Sequence, residues 1–337
     1  MKIAVLSPVA WRTPPRHYGP WEQVAYNLTE ELVKAGLEVT LFATGDSQTS
    51  AHLDAVIEMG YEEDRNQDAK VLECLHISNL MEKARNFDII HNHFDFLPLT
   101  WSRLISTPIV TTIHGFSSPR IIPVYKKYND TCHYVSISNS DRAPELDYIA
   151  TVYNGLNVES FSFSDSHEDY LLYFGRIHHD KGTAEAIEIA ESCGKKLIIA
   201  GIIQDEAYFN TRVKPHLNEQ ITFIGAAGPA MRNSLMSKAL ALLHPINFEE
   251  PFGMSVAEAM LCGTPVVAFN KGSMPELIKD RKTGFLVHNI AEAVEAVKQL
   301  TYVSREACHT WAASMFSAEK MAKDYMEVYS QILGGKH

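Results

Sequence analysis

The chain has 337 residues, of which 46% are hydrophobic and 21% charged, and its formal net charge is −11. This length predicts two domains, and the apolar content is enough for packed cores, which excludes disordered, collagen-like and low-complexity proteins. The negative charge gives no overall electrostatic reason to bind nucleic acid or an anionic bilayer. An anionic ligand would therefore need a local site.

The cysteines and the apolar runs bear on the compartment. The five cysteines are far apart and contain no C-x-x-C pair, which indicates a reducing environment without a disulfide or zinc framework. The first apolar run is too short for a signal peptide, and no run of about 18 apolar residues predicts a membrane span. We expect a cytoplasmic protein, for which peripheral membrane contact is not indicated and the oligomeric state is open.

The first half alternates short β-branched runs with helical periodicity, which is typical of buried parallel strands joined by crossover helices. Apolar residues at helical spacing predict a helix over 21–35, and Gly36 is a stop signal. The predicted strands are 3–9, 39–44, 88–93, 108–114, 134–138 and 149–155. This half predicts a first α/β domain over residues 1–157.

The polar segment 158–169 lacks periodicity and is interpreted as a linker. A second α/β set follows, so that residues 158–317 predict a second domain. Its predicted strands are 170–175, 196–201, 221–225, 239–245, 264–269 and 284–288. The final segment, 318–333, predicts a helix with one buried stripe, for which packing against the first domain is one arrangement. The fold class is two doubly wound parallel-sheet domains facing a cleft, with ligands at the carboxyl ends of the strands.

Two features of the first half stand directly after predicted strands. Tyr18-Gly19-Pro20 precedes the first helix without a G-x-G-x-x-G pattern, which argues against a dinucleotide dehydrogenase. His91 and His93 point to the same face of one strand, and His114 ends the next. A metal site here would need a third ligand such as Asp95 or His114, and the alternative is that each histidine is a satisfied core or cleft residue.

In the second half, Gly175–Gly182 follows the first strand and reads GRIHHDKG. Arg176 and Lys181 leave the strand end just before a predicted helix, where two cations could clamp a diphosphate. The alternative is that they are two surface cations in a β–α loop. The segment is not a P-loop, because no G-x-x-x-x-G-K-[ST] pattern is present.

The best-defined motif is NFEEPFGMSVAEAMLCGTPVVAF at 247–269. A turn containing Gly253 opens a helix, whose unpaired N–H groups and dipole favour an anion or a cluster of hydroxyls. Glu250 and Glu258 have a spacing suited to holding two sets of sugar hydroxyls. Two solvated acids beside an ordinary turn are the open alternative.

These motifs together resemble glycosyltransferase family 4, the retaining sugar-nucleotide transferases with the GT-B fold. The ordered set is EPFGMSVAEAMLCGTPVVAF, GRIHHDKG, TIHG, VYNGLNVESF, KGSMPELI and TGFLV. The resemblance covers nearly the full chain and implies two Rossmann-like domains. It also implies that the first domain binds mostly the acceptor and the second mostly the nucleotide sugar.

The resemblance further implies how the phosphate and ribose would be held. Arg176 and Lys181 would bind the donor diphosphate and stabilise it as the leaving group, as fixed cations do for developing charge. Glu258 would hold the ribose hydroxyls. No metal would be required, because these cations and the helix start would replace it electrostatically.

The resemblance places the remaining residues near the transferred sugar. Glu250 would hold this sugar together with the backbone of the motif, at Phe252, Gly253, Met254 and Ser255. His114 would lie near the reacting sugar, and Gly19 in a loop that closes on the donor phosphate. Pro20 stands where the family commonly has a second glycine, which removes one N–H from that loop.

We therefore expect a metal-independent, retaining transfer of a hexosyl unit from a nucleoside diphosphate sugar to a hydroxyl acceptor on a glycan, a small molecule or a lipid-linked group. Alternatives within the fold are a sugar-nucleotide epimerase and a phosphorylase. Two others are a sugar-nucleotide-binding protein without activity and a metal-dependent hydrolase built on His91, His93 and His114. The base, the sugar and the acceptor are open, and the acceptor pocket is expected from loops 11–20, 45–70 and 116–130.

Overall fold

A computed structural model describes residues 1–16, 19–115 and 118–334. The chain forms two compact units, Asn157–Ser317 and Met1–Leu156, and the segment that begins at Ala318 belongs to the latter. None of the helices in the described part is long and apolar enough to span a membrane. All five cysteines lie in the described part and are free.

The first unit contains a seven-stranded parallel sheet with the order β3-β2-β1-β4-β5-β6-β7. Strand β1 lies inside this sheet, where its Ile3 pairs with Val39 of β2 and with Ile89 of β4. The strands are β1 Lys2–Leu6, β2 Glu38–Phe42, β3 His52–Asp54, β4 Ile89–Asn92, β5 Ile109–Ile113, β6 Cys132–Ser136 and β7 Tyr148–Thr151. Its helices are α1 Pro20–Lys34, α2 Ala69–Glu82, α3 Ile122–Lys127 and α11 Ala318–Gly334. The sequence predicted every strand of this sheet except β3.

Helix α1 packs against α11, the last helix of this unit. Pro20 occupies the first helical turn, where its missing N–H is not needed, and Gly36 ends the helix region with a φ of 84°. One side of α1, including Leu28 and Leu32, is fully buried.

The second unit contains a six-stranded parallel sheet with the order β10-β9-β8-β11-β12-β13. The strands are β8 Tyr170–Phe174, β9 Lys196–Ala200, β10 Ile221–Phe223, β11 Ala241–His244, β12 Val266–Phe269 and β13 Gly284–Val287. The helices are α4 Thr183–Cys193, α5 Glu206–Tyr208, α6 Pro229–Lys238, α7 Met254–Leu261, α8 Met274–Leu277, α9 Ile290–Lys298 and α10 Arg305–Phe316. All six strands predicted for this half are present.

The interpretation of 158–169 as a linker was wrong. The segment packs on the second unit, where Ser164 N donates to Cys262 O at 3.2 Å and Glu168 N donates to Lys238 O at 2.7 Å. Arg305 Nε also donates to Ser164 O at 2.8 Å. The segment lacks periodicity because irregular backbone, anchored by hydrogen bonds, needs no repeating apolar face. Asn157, which we placed in the first domain, begins the second unit.

Candidate active site

The loop after β8 carries both predicted cations of the second unit. Arg176 is half-buried, and its Nη1 lies 2.5 Å from Gln204 Oε1. Lys181 Nζ lies 2.5 Å from Glu250 Oε2, and only 16% and 12% of these two side chains are exposed. Gly182 follows with a φ of 72°, and a Cβ there would come within 1.8 Å of Pro245 O. Glycine is therefore required for this loop to approach the end of β11.

The Lys181–Glu250 pair places one predicted cation against one predicted acid. Burial alone would raise the pKa of Glu250, but the His244 imidazole and the charge of Lys181 outweigh it and lower the pKa to about 2. His244 Nε2 lies 3.7 Å from Glu250 Oε2. Glu250 is therefore ionised near neutral pH and suited to accept hydrogen bonds. His244 was not predicted, although a polar residue ending the apolar run ALALLHP was a visible signal.

The turn that follows Glu250 leads directly into α7. Gly253 has a φ of 89° and precedes α7. Val256 N and Ala257 N donate to Gly253 O at 3.0 and 3.4 Å, which leaves the N–H groups of Met254 and Ser255 without an acceptor inside the helix. Such N–H groups at a helix start suit an anionic or hydroxyl ligand.

Residues of the KGSM segment fix that turn. Ser273 Oγ donates to Phe252 O at 2.6 Å, and Ser273 N donates to Glu250 O at 2.9 Å. A Cβ on Gly272 would come within 2.3 Å of Glu250 N, so a glycine is needed where the two segments touch. The turn 249–253 is thus positioned before any ligand binds.

Glu258 lies farther along α7 and pairs with an arginine that the sequence did not indicate. Arg232 Nη1 of α6 lies 2.8 Å from Glu258 Oε1, and 8% of the glutamate side chain is exposed. Burial raises the pKa of Glu258, and the charge of Arg232 opposes this effect. The partner was missed because nothing in the sequence connects positions 26 residues apart on different helices.

In the first unit, three histidines gather where β4 and β5 end. His93 Nδ1 lies 2.9 Å from His114 Nε2, and the rings of His91 and His93 lie 4.2 Å apart. Burial lowers the pKa of His91 and of His114 to about 3 and that of His93 well below its ordinary value. All three imidazoles are therefore neutral at physiological pH.

His91 is occupied by structural hydrogen bonds. Its Nδ1 lies 2.6 Å from Tyr329 Oη, and its Nε2 lies 2.8 Å from Thr112 Oγ1. Asp95, the other suggested metal ligand, accepts from Tyr125 Oη at 2.6 Å. Because both ring nitrogens of His91 have protein partners, the structure disfavours the alternative metal site on these histidines.

Gly19 directly precedes α1 and belongs to the same unit as His114. A Cβ on Gly19 would come within 2.8 Å of Glu22 Oε2, so its backbone lies close to that carboxylate. Glu22 is 3% exposed, and burial raises its pKa to about 7. Trp21 stacks on His114, with centroids 5.4 Å apart. Tyr18 of the same motif lies outside the described residues.

The predicted site residues thus fall into two groups. Gly19 and His114 belong to the first unit, and the remaining eight belong to the second. These eight are Arg176, Lys181, Glu250, Phe252, Gly253, Met254, Ser255 and Glu258. A further polar cluster that the sequence did not indicate consists of His178, His179 and Asp205.

Sequence models of two families match consecutive parts of the chain. The one described as Glycosyltransferase Family 4 matches residues 21–159, and the one described as Glycosyl transferases group 1 matches 159–312. A relative from Methanocaldococcus jannaschii, named an uncharacterized glycosyltransferase, is 24% identical over 98% of this chain and 95% of its own.

Solved structures show the same architecture. AviGT4, a glycosyltransferase involved in avilamycin A biosynthesis, has a TM-score of 0.74 and 22% identity over 99% of this chain and 98% of its own. Anabaena HepE in complex with UDP-glucose has a TM-score of 0.72 and 19% identity over 98% of this chain and 100% of its own. The predicted GT-B fold is confirmed.

Proposed function

We propose that this chain, which belongs to glycosyltransferase family 4, transfers a hexosyl unit from a nucleoside diphosphate sugar to a hydroxyl acceptor with retention of configuration. Under this proposal the donor is bound mostly by the second unit and the acceptor mostly by the first unit. The reaction proceeds in the cytoplasm and needs neither a metal ion nor nucleic acid.

The observation that supports this proposal most is the arrangement around Lys181. Its ammonium group is largely buried against Glu250, beside a turn that opens the start of α7. A cation held in place before the ligand binds stabilises negative charge without reorganisation during the reaction. Lys181 and Arg176 therefore act on the departing diphosphate, and the N–H groups at the start of α7 hold the donor.

The transfer balances without a protein nucleophile. The bond between the anomeric carbon and the phosphate oxygen breaks, and the acceptor oxygen bonds to that carbon on the same face. The acceptor proton passes to an oxygen of the leaving diphosphate. The products are a glycoside and a nucleoside diphosphate.

The remaining residues bind and orient the donor. Ionised Glu250 accepts hydrogen bonds from hydroxyls of the transferred sugar, and Glu258 accepts them from the ribose. Neutral His114 lies near the reacting sugar, and Gly19 lies in the loop that approaches the donor phosphate. Holding both substrates in a reactive geometry supplies much of the remaining acceleration.

A panel of nucleoside diphosphate sugars tests donor binding by thermal shift, with the matching nucleoside diphosphates as a control and EDTA present throughout. A ligand that binds only the folded protein raises its Tm. We expect the nucleoside diphosphate sugars that carry one particular base to raise the Tm in the presence of EDTA. Absence of any shift across the panel contradicts the proposal, as does binding that needs a divalent cation.

The product identifies the reaction. NMR of the glycoside formed from the active donor is expected to show the anomeric configuration of that donor. An inverted product contradicts retention. Stimulation by inorganic phosphate identifies a phosphorylase, a changed sugar without a new glycoside identifies an epimerase, and donor binding without turnover over a broad set of acceptors identifies a binding protein.

A further inference from the structure

We propose that His93 is a positioning residue that keeps the proton of His114 on Nδ1, so that this imidazole acts as a neutral hydrogen-bond donor. This inference rests on the proposed function for the role of His114, but the tautomer itself is a property of the folded chain. It follows from a hydrogen-bond count in a buried cluster.

The two rings meet through one pair of nitrogens. His93 Nδ1 and His114 Nε2 are 2.9 Å apart. His93 is fully buried, and 8% of His114 is exposed. Because both imidazoles are neutral, one of the two nitrogens carries the hydrogen and the other accepts it. Two arrangements of protons satisfy this contact.

The far side of His93 selects between them. His93 Nε2 is buried and has no hydrogen-bond partner among the described residues. If it carried the proton, a buried N–H would be left unsatisfied, which is rarer in folded proteins than an unpaired acceptor, and His93 Nδ1 would have to accept from His114. With the proton on His93 Nδ1, that N–H donates to His114 Nε2. His114 then carries its own proton on Nδ1.

The neighbouring rings restrict how this pair can move. Trp21 stacks on His114 with an interplanar angle of 18°, and His91 packs against the other side of His93 with a ring separation of 4.2 Å. His91 is itself held by Tyr329, and Tyr325 holds Thr112 at 2.6 Å. Helix α11 thereby supports the histidine pair through two buried hydroxyls.

Two substitutions at one position separate the donor from simple packing. His93→Asn keeps an N–H close to where Nδ1 lies, whereas His93→Leu removes the donor and keeps an apolar side chain. The side-chain ¹⁵N shifts of His114 report its tautomer. We expect the Nδ1–H form in the wild-type protein and in His93→Asn, and its loss in His93→Leu.

Turnover gives the second readout. We expect kcat to fall by about tenfold to a hundredfold in His93→Leu, as for the loss of other orienting partners, while His93→Asn retains most activity and the donor KM changes little in either. A wild-type His114 in the Nε2–H form overturns the inference, as does equal impairment of the two variants when both have the wild-type Tm. If no donor is turned over by the wild-type protein, the proposed function fails, but the ¹⁵N shifts still decide the tautomer.

A separate cluster in the second unit points to a transition-metal site. The ligand atoms of His178, His179 and Asp205 lie within 4.8 Å of one another. Asp180 adds a second carboxylate, 2.8 Å from His179 Nε2 and 3.3 Å from His178 Nδ1. Imidazole and carboxylate groups are the ligands that Zn²⁺ and Co²⁺ accept, at about 2.0–2.2 Å for Zn²⁺.

The two loops that carry this cluster are connected to each other by main-chain contacts. The loops that follow β8 and β9 form a bridge between Ile177 and Ile203, and the N–H groups of Gln204 and Asp205 both donate to Ile177 O at 3.2 Å. The histidines and Asp205 are therefore kept close by main-chain bonds. We infer that these side chains bind one Zn²⁺ or Co²⁺ ion that links the two loops.

Titration with Co²⁺ tests this site without any substrate. We expect a visible d–d absorption band that saturates at one ion per chain, and an affinity about tenfold or more lower in His178→Ala and in Asp205→Asn. His216→Ala is the matched control, because His216 pairs with Glu191 at 3.1 Å elsewhere in the same unit. An unchanged affinity in both site variants overturns the inference, as does a near-ultraviolet band from cysteine ligation.

Discussion

The strand ends of the two units carry different electrostatics, although both sheets are parallel and doubly wound. In the first unit the polar groups are neutral imidazoles whose pKa values are lowered by burial, as His91 and His114 show. In the second unit they are charged, since Lys181 pairs with Glu250 and Arg176 contacts the amide of Gln204. One edge is suited to hydrogen bonds with neutral hydroxyls, and the other is suited to an anion. The same sheet architecture therefore presents two kinds of polar group, which depend on the residues that follow its strands.

This difference refines what the net charge of −11 implies. An acidic chain provides no general attraction for anions, but a few fixed cations in a partly buried loop create a local positive potential. In the second unit Lys181 is paired with the carboxylate of Glu250, whereas Arg176 contacts the neutral amide of Gln204. A diphosphate would therefore bind at this local group of cations, although the chain as a whole is acidic.

Removing a cation of the second unit is expected to have the largest effect. Lys181→Ala and Arg176→Ala should each lower kcat by about a hundredfold or more, because a preorganised group that stabilises developing charge is lost. Steady-state kinetics with the active donor measures this. Lys195→Ala is the matched control. Lys195 Nζ lies 2.5 Å from Asp169 Oδ1, and neither residue belongs to the candidate site. Near-normal turnover in both site variants would contradict the leaving-group role of the two cations. It would also contradict the electrostatic contrast between the two units.

Glu258→Ala tests the second ion pair. We expect the donor Kd to rise by about tenfold or more, because hydrogen bonds to a charged group contribute roughly 1.5–3 kcal/mol. Calorimetric titration with the donor measures the affinity. Arg232→Ala keeps the carboxylate and should weaken donor binding less. A lower Tm with an unchanged Kd for Glu258→Ala would show that the pair serves stability only.

The fold was largely predictable because buried parallel strands have a strong sequence signature. Of the thirteen strands in the described part of the chain, twelve follow apolar, β-branched runs bounded by turn residues. The exception is β3, His52–Asp54, a three-residue edge strand without a buried side chain. A short strand that pairs through its backbone alone leaves no apolar pattern, and the ordered segment 158–169 was misread for a related reason.

The site was predictable in its residue types but not in its pairings. The position of Lys181 after a strand and of Glu250 in a turn suggested a ligand site. Their contact joins residues 69 positions apart, and the contact of His91 with Tyr329 joins residues 238 apart. Such partners are chosen by tertiary packing, so a single sequence does not contain a local signal for them.

Glu22 provides a pH-dependent test of the first unit. A carboxyl whose pKa is raised in the folded state from 4.5 to about 7 stabilises the fold below its unfolded pKa, and this contribution is lost as pH rises through 7. Urea unfolding should therefore show that Glu22→Gln is more stable than the wild-type protein at pH 8, by on the order of 1–3 kcal/mol, with little difference near pH 4.5.

Glu31→Gln is the control for Glu22→Gln, because Glu31 lies on the same helix in a surface pair with Lys34. Exposed pairs of this kind contribute between about 0 and 1 kcal/mol. A pH profile of Glu22→Gln that parallels the wild-type profile would show that the carboxyl titrates normally. The first unit would then not hold its polar groups neutral at this position.

The smallest effect is expected where the first unit relies on neutral hydrogen bonds alone. Tyr329→Phe removes the hydroxyl that lies 2.6 Å from His91 Nδ1 and should cost about 1 kcal/mol, which corresponds to a fall in Tm of about 2–4 °C. Tyr302→Phe is the matched control, because Tyr302 is 85% exposed and should leave the Tm unchanged. Tyr325→Phe acts on the same network through Thr112, so the double variant should lose less than the sum of the two single variants. Strict additivity would mean that the two hydroxyls act independently, and that α11 is held by apolar packing and not by the network that reaches the histidines.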